Sequence, residues 1–291
     1  AGRREPPEEH GMDGTWIVVP CYNEAERLDL SAFRRFVAAG HPQRFLFVND
    51  GSTDATAEVL RSFCGENPGR FELLDLARNR GKAEAVRRGM LHAIDQGAER
   101  VGFWDADLAT PLEAIPEFCR LFDADPELRL ALGSRVRLLG RRIERRALRH
   151  YLGRAFATAA SLVLGLSVYD TQCGAKLFRV DAALRSVLAE PFRSRWVFDV
   201  ELLARLVERL RAAGHRDVER FIRELPLEAW RDVAGSKLKA RDFLRALVDL
   251  LVIARAYPRA GAAPAAVEQT PATAPSAAGV PLPRRRSQQA A

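Results

Sequence analysis

Cysteine and histidine are sparse in this sequence, and none is spaced for a disulfide framework or a metal cluster. Its four cysteines, Cys21, Cys64, Cys119 and Cys173, are widely scattered among 291 residues, without a Cys-x-x-Cys pair or a histidine at ligand spacing. Zinc sites and disulfide frameworks depend on close, regular spacing of these residues. The sequence therefore predicts free thiols in a reducing compartment.

Long apolar runs are missing as well. The longest, residues 155–168, contains Gly165 and two serines and is shorter than the roughly 18 residues of a membrane span. Residues 1–14 are charged and lack the apolar centre of a signal peptide, and alanine, proline, glutamine and serine dominate 259–291. We expect two disordered tails, 1–14 and 259–291, around one domain spanning 15–258 without a transmembrane segment.

Positive charge is what the chain has in excess. It carries 45 Lys and Arg against 38 Asp and Glu, a net charge of +7, while 47% of its residues are hydrophobic. The hydrophobic fraction is typical of a globular domain, and the basic balance favours an anionic partner. Nucleic acid, membrane phosphate and nucleotides are all candidates on composition alone.

Short apolar runs alternate with amphipathic helical patterns through the first third of the chain. The predicted order is strand 15–20, helix 28–37, strand 45–50, helix 53–63, strand 71–76, helix 82–95 and the strand that leads into Asp105. This alternation predicts an α/β fold with a mostly parallel, twisted sheet. Ligands of such sheets bind beyond the carboxyl ends of the strands.

The predicted strand ends are unusually polar. They carry Pro20-Cys-Tyr22-Asn-Glu24, Asn49-Asp50-Gly-Ser-Thr-Asp54, Arg78-Asn-Arg-Gly81-Lys82 and Asp105-Ala-Asp107. Each segment alone is typical of a turn or a helix cap. Four of them on one edge of a sheet favour a ligand site, in which Tyr22 flanks a base, the acids contact ribose and a metal, and Lys82 faces phosphate.

Asp105 and Asp107 are spaced i, i+2 where a predicted strand ends, before a helix start at Thr110-Pro111. Alternate side chains of an extended chain point the same way, so both carboxylates can face one ligand. Two such oxygen donors suit Mg²⁺ or Mn²⁺ bound together with a substrate diphosphate. The alternative is a pair of solvated aspartates that cap the next helix.

A run of arginines follows an apolar stretch that ends at Arg135. It reads Arg141-Arg-Ile-Glu-Arg145-Arg146-Ala-Leu-Arg149-His150 and, on a helix, Arg141, Arg145 and Arg149 share one face. One interpretation is a solvated helix face, and another is a site for phosphate at a membrane surface, which guanidinium groups bind well. Nucleic acid is disfavoured, because aromatic interleaving and recognition motifs are lacking.

The pattern at residues 238–257 is that of an amphipathic helix. Its polar positions, including Arg241, Arg245 and Asp249, recur at i, i+4 spacing, and apolar residues cover the rest. We expect this helix to pack on the core, and part of it to lie at a lipid interface with Arg255 near headgroups.

The four polar strand ends resemble the successive motifs of family 2 inverting glycosyltransferases, which have the Rossmann-like GT-A fold. The resemblance covers roughly residues 15–257 and implies a metal, Mg²⁺ or Mn²⁺, held by Asp107 beside Asp105. The nucleotide-sugar contacts expected from the motifs and their chemistry are Pro20, Tyr22, Glu24, Asp50, Lys82 and Asp105.

Three later motifs, beginning at Asp170, Arg195 and Trp230, resemble dolichyl-phosphate β-glucosyltransferases in the same order. The likeness implies that the lipid phosphate is held by Arg135, Arg146, Arg149 and Lys237. It also places Asp170, Gln172 and Asp199 on the acceptor side, and the expected catalytic residues are Asp107, Asp199 and Arg135. An alternative for Asp199 is a charge that complements the dipole of a helix N-terminus.

The residue at position 109, an alanine, indicates which nucleotide sugar is the donor. Related mannose synthases usually carry glutamine at this place, whereas the glucose enzymes carry alanine, so the resemblance favours UDP-glucose over GDP-mannose. The expected reaction is transfer of glucose, with inversion, to a dolichyl or polyprenyl phosphate. We expect a cytoplasmic enzyme that attaches peripherally to the inner face of the cell membrane and does not bind nucleic acid.

Three alternatives stay open. The first is the same chemistry with GDP-mannose. The second is a soluble glycosyltransferase whose acceptor is a hydroxyl group and which needs a base, with Asp199 as the candidate. The third is a non-catalytic basic adaptor that binds nucleic acid or membrane.

Overall fold

The computed structural model describes residues 14–144, 147–231 and 240–258. The predicted tails, apart from Gly14, therefore lie outside the described residues, and so do Arg146 and Lys237.

Strands and helices alternate through the first half of the chain. They are β1 (Thr15–Cys21), α1 (Leu30–Ala38), β2 (Arg44–Asn49), α2 (Thr56–Glu66), β3 (Phe71–Asp75), α3 (Lys82–Asp95), β4 (Arg100–Trp104), α4 (Ile115–Ala124) and β5 (Leu130–Ser134). Every strand and helix predicted up to Trp104 is confirmed, with bounds shifted by a few residues at most.

The second half is less regular. It contains β6 (Arg142–Glu144), α5 (Ala147–Leu164), β7 (Ala175–Arg179), α6 (Ala182–Leu188), α7 (Phe198–Ala212), β8 (Ile222–Pro226), β9 (Ala229–Arg231) and α8 (Ala240–Ala256). Short 3-10 turns at Leu112–Ala114 and Glu219–Phe221 precede α4 and β8.

Seven strands of the described chain form one sheet in the order β3-β2-β1-β4-β7-β5-β8. Neighbouring strands are parallel except β7, which runs antiparallel to both β4 and β5. The carboxyl ends of β1, β2, β4 and β5 and the amino end of β7 therefore meet at one edge. The predicted α/β fold with a mostly parallel sheet is confirmed.

Helices cover both faces of the sheet, which explains why β1, β2, β4 and β5 are mostly apolar runs. Val18 of β1 packs with Met90 of α3 on one face, together with residues of α5, α7 and α8. Ile17 packs with Phe33 and Phe63 on the other face, beside α4. A strand buried on both sides carries no polar alternation, so its sequence is a plain apolar run.

The helix predicted over the arginine run is wrong in its first half. Residues Arg142–Glu144 form β6, which pairs in parallel with β9 and places Ile143 opposite Trp230. Ile143 is only 8% exposed, so its burial and the strand pairing override the helical spacing of the arginines. The helix α5 begins only at Ala147, and Arg141 and Arg149 therefore do not share a helix face.

The predicted amphipathic helix near the C-terminus is confirmed as α8. Its residues Ala246, Leu250 and Ile253 are buried, and Tyr257 just beyond it donates a hydrogen bond of 2.9 Å to Glu201 of α7. These contacts fix α8 on the core, as expected. Within the described ranges, we find no helix that is both long and apolar enough to cross a bilayer.

Gly89 allows α3 to approach the sheet closely, and this contact can be tested. A Cβ atom at Gly89 would lie 2.5 Å from a methyl group of Val18 and 2.8 Å from one of Val48. Overpacking of a core typically costs about 1–3 kcal/mol. We therefore expect Gly89→Ala to lower the free energy of unfolding by about that amount in urea denaturation.

Gly65 provides the matched control, because it also lies on a helix, α2, but a Cβ there would meet no atom within 4 Å. We expect Gly65→Ala to change the free energy of unfolding by less than about 0.5 kcal/mol. Equal losses in the two variants would contradict the close packing of α3 on β1.

Candidate active site

A cleft of about 360 Å³ opens at the carboxyl edge of the sheet, where β1, β2 and β4 end and α3 begins. Its lining residues are Pro20, Cys21, Tyr22, Glu24, Arg27, Asp50, Asn79, Gly81, Lys82, Ala85, Asp105, Ala106 and Asp107. The structure thus brings together all six residues predicted for the nucleotide sugar, and Asp107 with them. The parallel topology explains this, since it places these strand ends side by side.

The loops after β1 and β2 are tied to each other by side-chain hydrogen bonds. The amide of Asn23, which has a φ of 53°, donates to Ser52 Oγ at 3.0 Å, and the amide of Glu24 donates to Thr56 Oγ1 at 2.8 Å. These bonds fix the segment that carries Tyr22, whose side chain is exposed at the mouth of the cleft. An aromatic face is therefore available to a base at this position.

Asp50 holds the loop that leads into α3. Its carboxylate is 2% exposed and accepts hydrogen bonds from the amides of Arg80, at 2.8 Å, and Gly81, at 2.7 Å. The next residue, Gly51, has a φ of 61°, and a Cβ there would overlap the backbone of Arg78. Asp50 therefore shapes the cleft wall, and each carboxylate oxygen retains a second lone pair for a ligand.

Arg195 supports the same loop from the other side. Its guanidinium donates to the carbonyl of Arg80 at 2.9 Å. The neighbouring Ser194 accepts from the amide of Val197 at 2.9 Å and donates to Asp249 of α8 at 2.7 Å. The segment before α7 thus joins the cleft wall to α8, which the sequence motif around Arg195 did not reveal.

Lys82 is the first residue of α3 and forms an ion pair with Asp105. The ammonium nitrogen lies 2.5 Å from Asp105 Oδ1. Burial lowers the pKa of Lys82, but the carboxylates of Asp105 and Asp199 raise it by more, so its pKa lies above the usual value. The cleft therefore keeps a positive charge where phosphate was predicted to bind.

Asp105 and Asp107 do not lie on an extended strand, so that part of the prediction is wrong. The amide of Leu108 donates to the carbonyl of Asp105 at 3.1 Å, and Leu108 has a φ of 50°, which makes a tight turn. Both carboxylates still line the cleft. The helix-cap alternative is also wrong, because α4, whose residues are all described, receives no side-chain cap.

Asp107 is the more accessible of the two carboxylates. It is exposed, and one of its oxygens accepts from the amide of Ala109 at 3.0 Å. Loss of hydration and the charge of Asp105 raise the pKa of Asp107. A bound cation stabilises the ionised form of a carboxylate whose pKa is raised in this way.

The carboxylates of the cleft fit Mg²⁺ or Mn²⁺ only if a bound diphosphate supplies further metal ligands. Throughout residues 14–144, 147–231 and 240–258, no three His, Cys, Asp or Glu side chains are clustered to hold a metal by themselves. Asp107, with Asp105 beside it, leaves coordination positions for diphosphate oxygens and water, which these ions accept.

Gly174 permits the position of Asp105. Its carbonyl accepts the amide of Asp105 at 3.1 Å, and a Cβ at Gly174 would overlap the Asp105 carboxylate. This contact forms because β7 runs antiparallel and brings the loop before Ala175 to the edge where β4 ends.

Asp199 lies in the first turn of α7 and is paired with a buried lysine. The ammonium of Lys176 is inaccessible to solvent, 2.5 Å from Asp199 Oδ1 and 2.7 Å from the carbonyl of Cys173. Asp199 therefore lies near a helix N-terminus, where the helix-dipole alternative placed it. Its ion pair with Lys176 is a contact that the sequence motif did not reveal.

Arg135, which was predicted to hold the lipid phosphate, follows β5 at the same edge of the sheet. Its Nε and Nη2 donate to the two oxygens of Asp170 at 2.6 and 2.8 Å, and its guanidinium lies 5.2 Å from the centre of the Trp230 ring. This pair uses two of the five N–H donors of the guanidinium. The adjacent Gln172 has a buried Nε2 without a hydrogen-bond partner among the described residues.

The remaining acceptor-side predictions fall outside what the structure describes. Arg146 and Lys237 lie outside the described residues, and of Arg149 only the backbone, in the first turn of α5, is described. One charged cleft residue was missed from the sequence, Arg27, which lies 2.6 Å from Glu24. The i, i+3 spacing of these two opposite charges was the available signal.

Residues 16–185 match the family described as Glycosyl transferase family 2. A dolichyl-phosphate beta-glucosyltransferase of Trichomonas vaginalis is 33% identical over 259 residues, which cover 85% of this chain and 72% of that protein. The Saccharomyces cerevisiae dolichyl-phosphate beta-glucosyltransferase is 32% identical over 261 residues, covering 83% and 74%.

Solved structures agree on the fold. Glucosyl-3-phosphoglycerate synthase from Mycobacterium tuberculosis, in complex with UDP, superposes with a TM-score of 0.56 at 17% identity, covering 83% of this chain and 80% of that one. A mannosyltransferase from Pyrobaculum calidifontis, in complex with GDP-mannose and Mn²⁺, gives 0.52 at 18% identity, covering 84% and 72%. Because the family match spans more than half of the chain and the fold is that of GT-A enzymes, this chain belongs to glycosyltransferase family 2.

Proposed function

We propose that this glycosyltransferase moves glucose from UDP-glucose to the phosphate of a dolichyl or other polyprenyl carrier. The observation that carries the proposal is the meeting of two anion-binding elements on one edge of the sheet. The cleft with Lys82 and Asp107 serves the donor, and Arg135 serves the acceptor. The names of the relatives, dolichyl-phosphate beta-glucosyltransferases, support the choice of sugar and carrier.

On the donor side, the chain supplies shape and charge. Tyr22 flanks the base, Asp50 keeps the wall formed by Arg80 and Gly81 in place, and Lys82 faces the diphosphate. Asp107, with Asp105, would hold Mg²⁺ or Mn²⁺, which when bound stabilises the charge that develops on the departing diphosphate.

On the acceptor side, no general base is required. A phosphate monoester has a second pKa near 6, by analogy with phosphorylated side chains, so it is already a nucleophile at neutral pH. The task of the protein is to hold two anions in line, which a positioned guanidinium can do. Arg135, itself fixed by Asp170 at 2.6 Å, fits this task.

Asp199 fits a positioning role better than that of a base. Its carboxylate lies 2.5 Å from the buried ammonium of Lys176, and a buried ion pair of this kind holds both side chains in place. Asp199 also contributes to the raised pKa of Lys82. We propose that Lys176 fixes Asp199, and that Asp199 and Asp105 together fix Lys82 beside the diphosphate.

The reaction is tested with the purified chain, Mg²⁺, radiolabelled UDP-glucose and a polyprenyl phosphate, scored by label that enters the organic phase. We expect Asp107→Ala to lower this turnover by at least about a hundredfold, because metal-site changes of even the outer shell cost about 10–100-fold. Asp95→Ala, an exposed aspartate at the end of α3, serves as control and should retain full turnover. Full turnover in Asp107→Ala, or no label in the organic phase with wild type, would refute the proposal.

The nucleotide-sugar donor is identified by measuring how far each candidate raises the melting temperature of the protein in the presence of Mn²⁺. A ligand at a hundredfold excess over its Kd stabilises the folded state by about 2.7 kcal/mol. We expect UDP-glucose to raise the melting temperature by several degrees and GDP-mannose, at the same concentration, to leave it unchanged. Greater protection by GDP-mannose would replace glucose with mannose in the proposal.

The role of Asp199 is tested by a double-mutant cycle with UDP binding as the readout. If Asp199 positions Lys82, Asp199→Asn weakens UDP binding by about tenfold in wild type and has little further effect in Lys82→Ala, a coupling of about 1 kcal/mol. If Asp199 is instead a base, Asp199→Asn lowers kcat and leaves UDP affinity unchanged.

A second variant carries both Lys176→Met and Asp199→Leu, and it removes the ion pair without leaving a buried charge. Circular dichroism verifies that this variant folds.

A further inference from the structure

The chain between β5 and β6 makes a tight turn with an apolar, exposed tip. The amide of Arg141 donates to the carbonyl of Leu138 at 3.1 Å, and Gly140 has a φ of 84°, as glycine has at the third position of a type II turn. Leu139, at the second position, is 104% exposed, and Leu138 is 49% exposed. The turn therefore displays two adjacent leucines to solvent.

Arginines surround these leucines. Arg137 and Arg142 are exposed on either side of the tip, and Arg141 pairs with Glu228 at 3.1 Å. A single exposed leucine needs no explanation, but an apolar tip within a basic collar is typical of segments that enter the headgroup region of a bilayer. The positive charge of this collar complements anionic headgroups.

The size of this surface favours a bilayer over a protein partner. A stable protein interface buries more than about 1,000 Å² in total, which two leucines and their arginine neighbours do not offer. In a bilayer, by contrast, each inserted apolar side chain and each basic residue near the headgroups adds its own favourable free energy of binding.

The turn is also well placed for the proposed acceptor. It begins at Leu138, three residues after Arg135, which lies at the same edge of the sheet as the donor cleft. We propose that the turn of Leu138 and Leu139 inserts into the surface of an anionic lipid bilayer, with Arg137 and Arg142 on headgroup phosphates. Arg135 is thereby brought to the depth at which a carrier phosphate lies, a link that rests on the proposed function.

Insertion can be observed directly, because all four native cysteines are buried. Leu139→Cys in the full chain is labelled with an environment-sensitive thiol dye and mixed with phosphatidylcholine vesicles, with or without phosphatidylglycerol. We expect the fluorescence to rise several-fold with anionic vesicles and to be quenched by a lipid-borne quencher. Gly65→Cys, on α2 beside the opposite strands of the sheet, is the control label and should show neither effect.

Vesicle sedimentation tests the leucines and the charge separately. We expect Leu138→Ser combined with Leu139→Ser to lower partitioning by about tenfold or more, because the variant no longer transfers two leucine side chains from water into the bilayer. Leu162→Ser, a 77% exposed leucine on α5, is the matched control and should leave partitioning unchanged. Arg142→Gln should weaken binding to anionic vesicles only.

Any of three results with vesicles would overturn the inference: an unquenched dye at position 139, undiminished partitioning of the double variant, or equal loss in Leu162→Ser. A dye signal that grows with protein concentration in the absence of vesicles would point to a second copy of the chain and would also overturn it. The vesicles contain no carrier and no nucleotide sugar, so the insertion experiment does not depend on glucosyl transfer. If the proposed transfer fails, the insertion result remains valid. If insertion fails, the transfer assay is unaffected.

Discussion

The ion pair between Lys82 and Asp105 is the contact on which the site depends. It joins the first residue of α3 to the residue that follows β4, at 2.5 Å. Gly174 leaves the space that Asp105 occupies, and Asp50 holds the two amides that precede Lys82. A charged pair in this position is useful to an enzyme that must hold a cation and a diphosphate together, because it keeps a fixed positive charge beside the carboxylates.

The antiparallel strand β7 connects the cleft with Arg135. It lies between β4 and β5, so the loop that precedes it reaches the same edge as their carboxyl ends. That loop carries Asp170, which fixes Arg135, and Gly174, which accommodates Asp105. Lys176 within β7 pairs with Asp199 of α7. A single reversed strand therefore sets the distance between the cleft and Arg135.

The sequence predicted the regular part of the fold well, because doubly covered strands such as β1 and β2 leave a local apolar pattern. It also predicted which residues line the cleft, since parallel strand ends meet at one edge. It failed at β6, where the helical spacing of arginines was overridden by pairing with β9, a strand far along the chain. Lys176 and Arg195 were missed as partners for the same reason: their contacts with Asp199 and Arg80 depend on topology, which no local pattern records.

The pairing of Asp199 with Lys176 bears on the kind of acceptor. An enzyme that activates a hydroxyl group needs a carboxylate or imidazole that is free to take up a proton. Here the carboxylate of Asp199 is 2.5 Å from an ammonium that is wholly buried and has no other anionic group among its hydrogen-bond partners in the described chain. Such a carboxylate serves best as the counter-charge of that ammonium. A phosphate acceptor, which arrives already ionised, is the class of nucleophile that allows an active site to use its aspartate in this way.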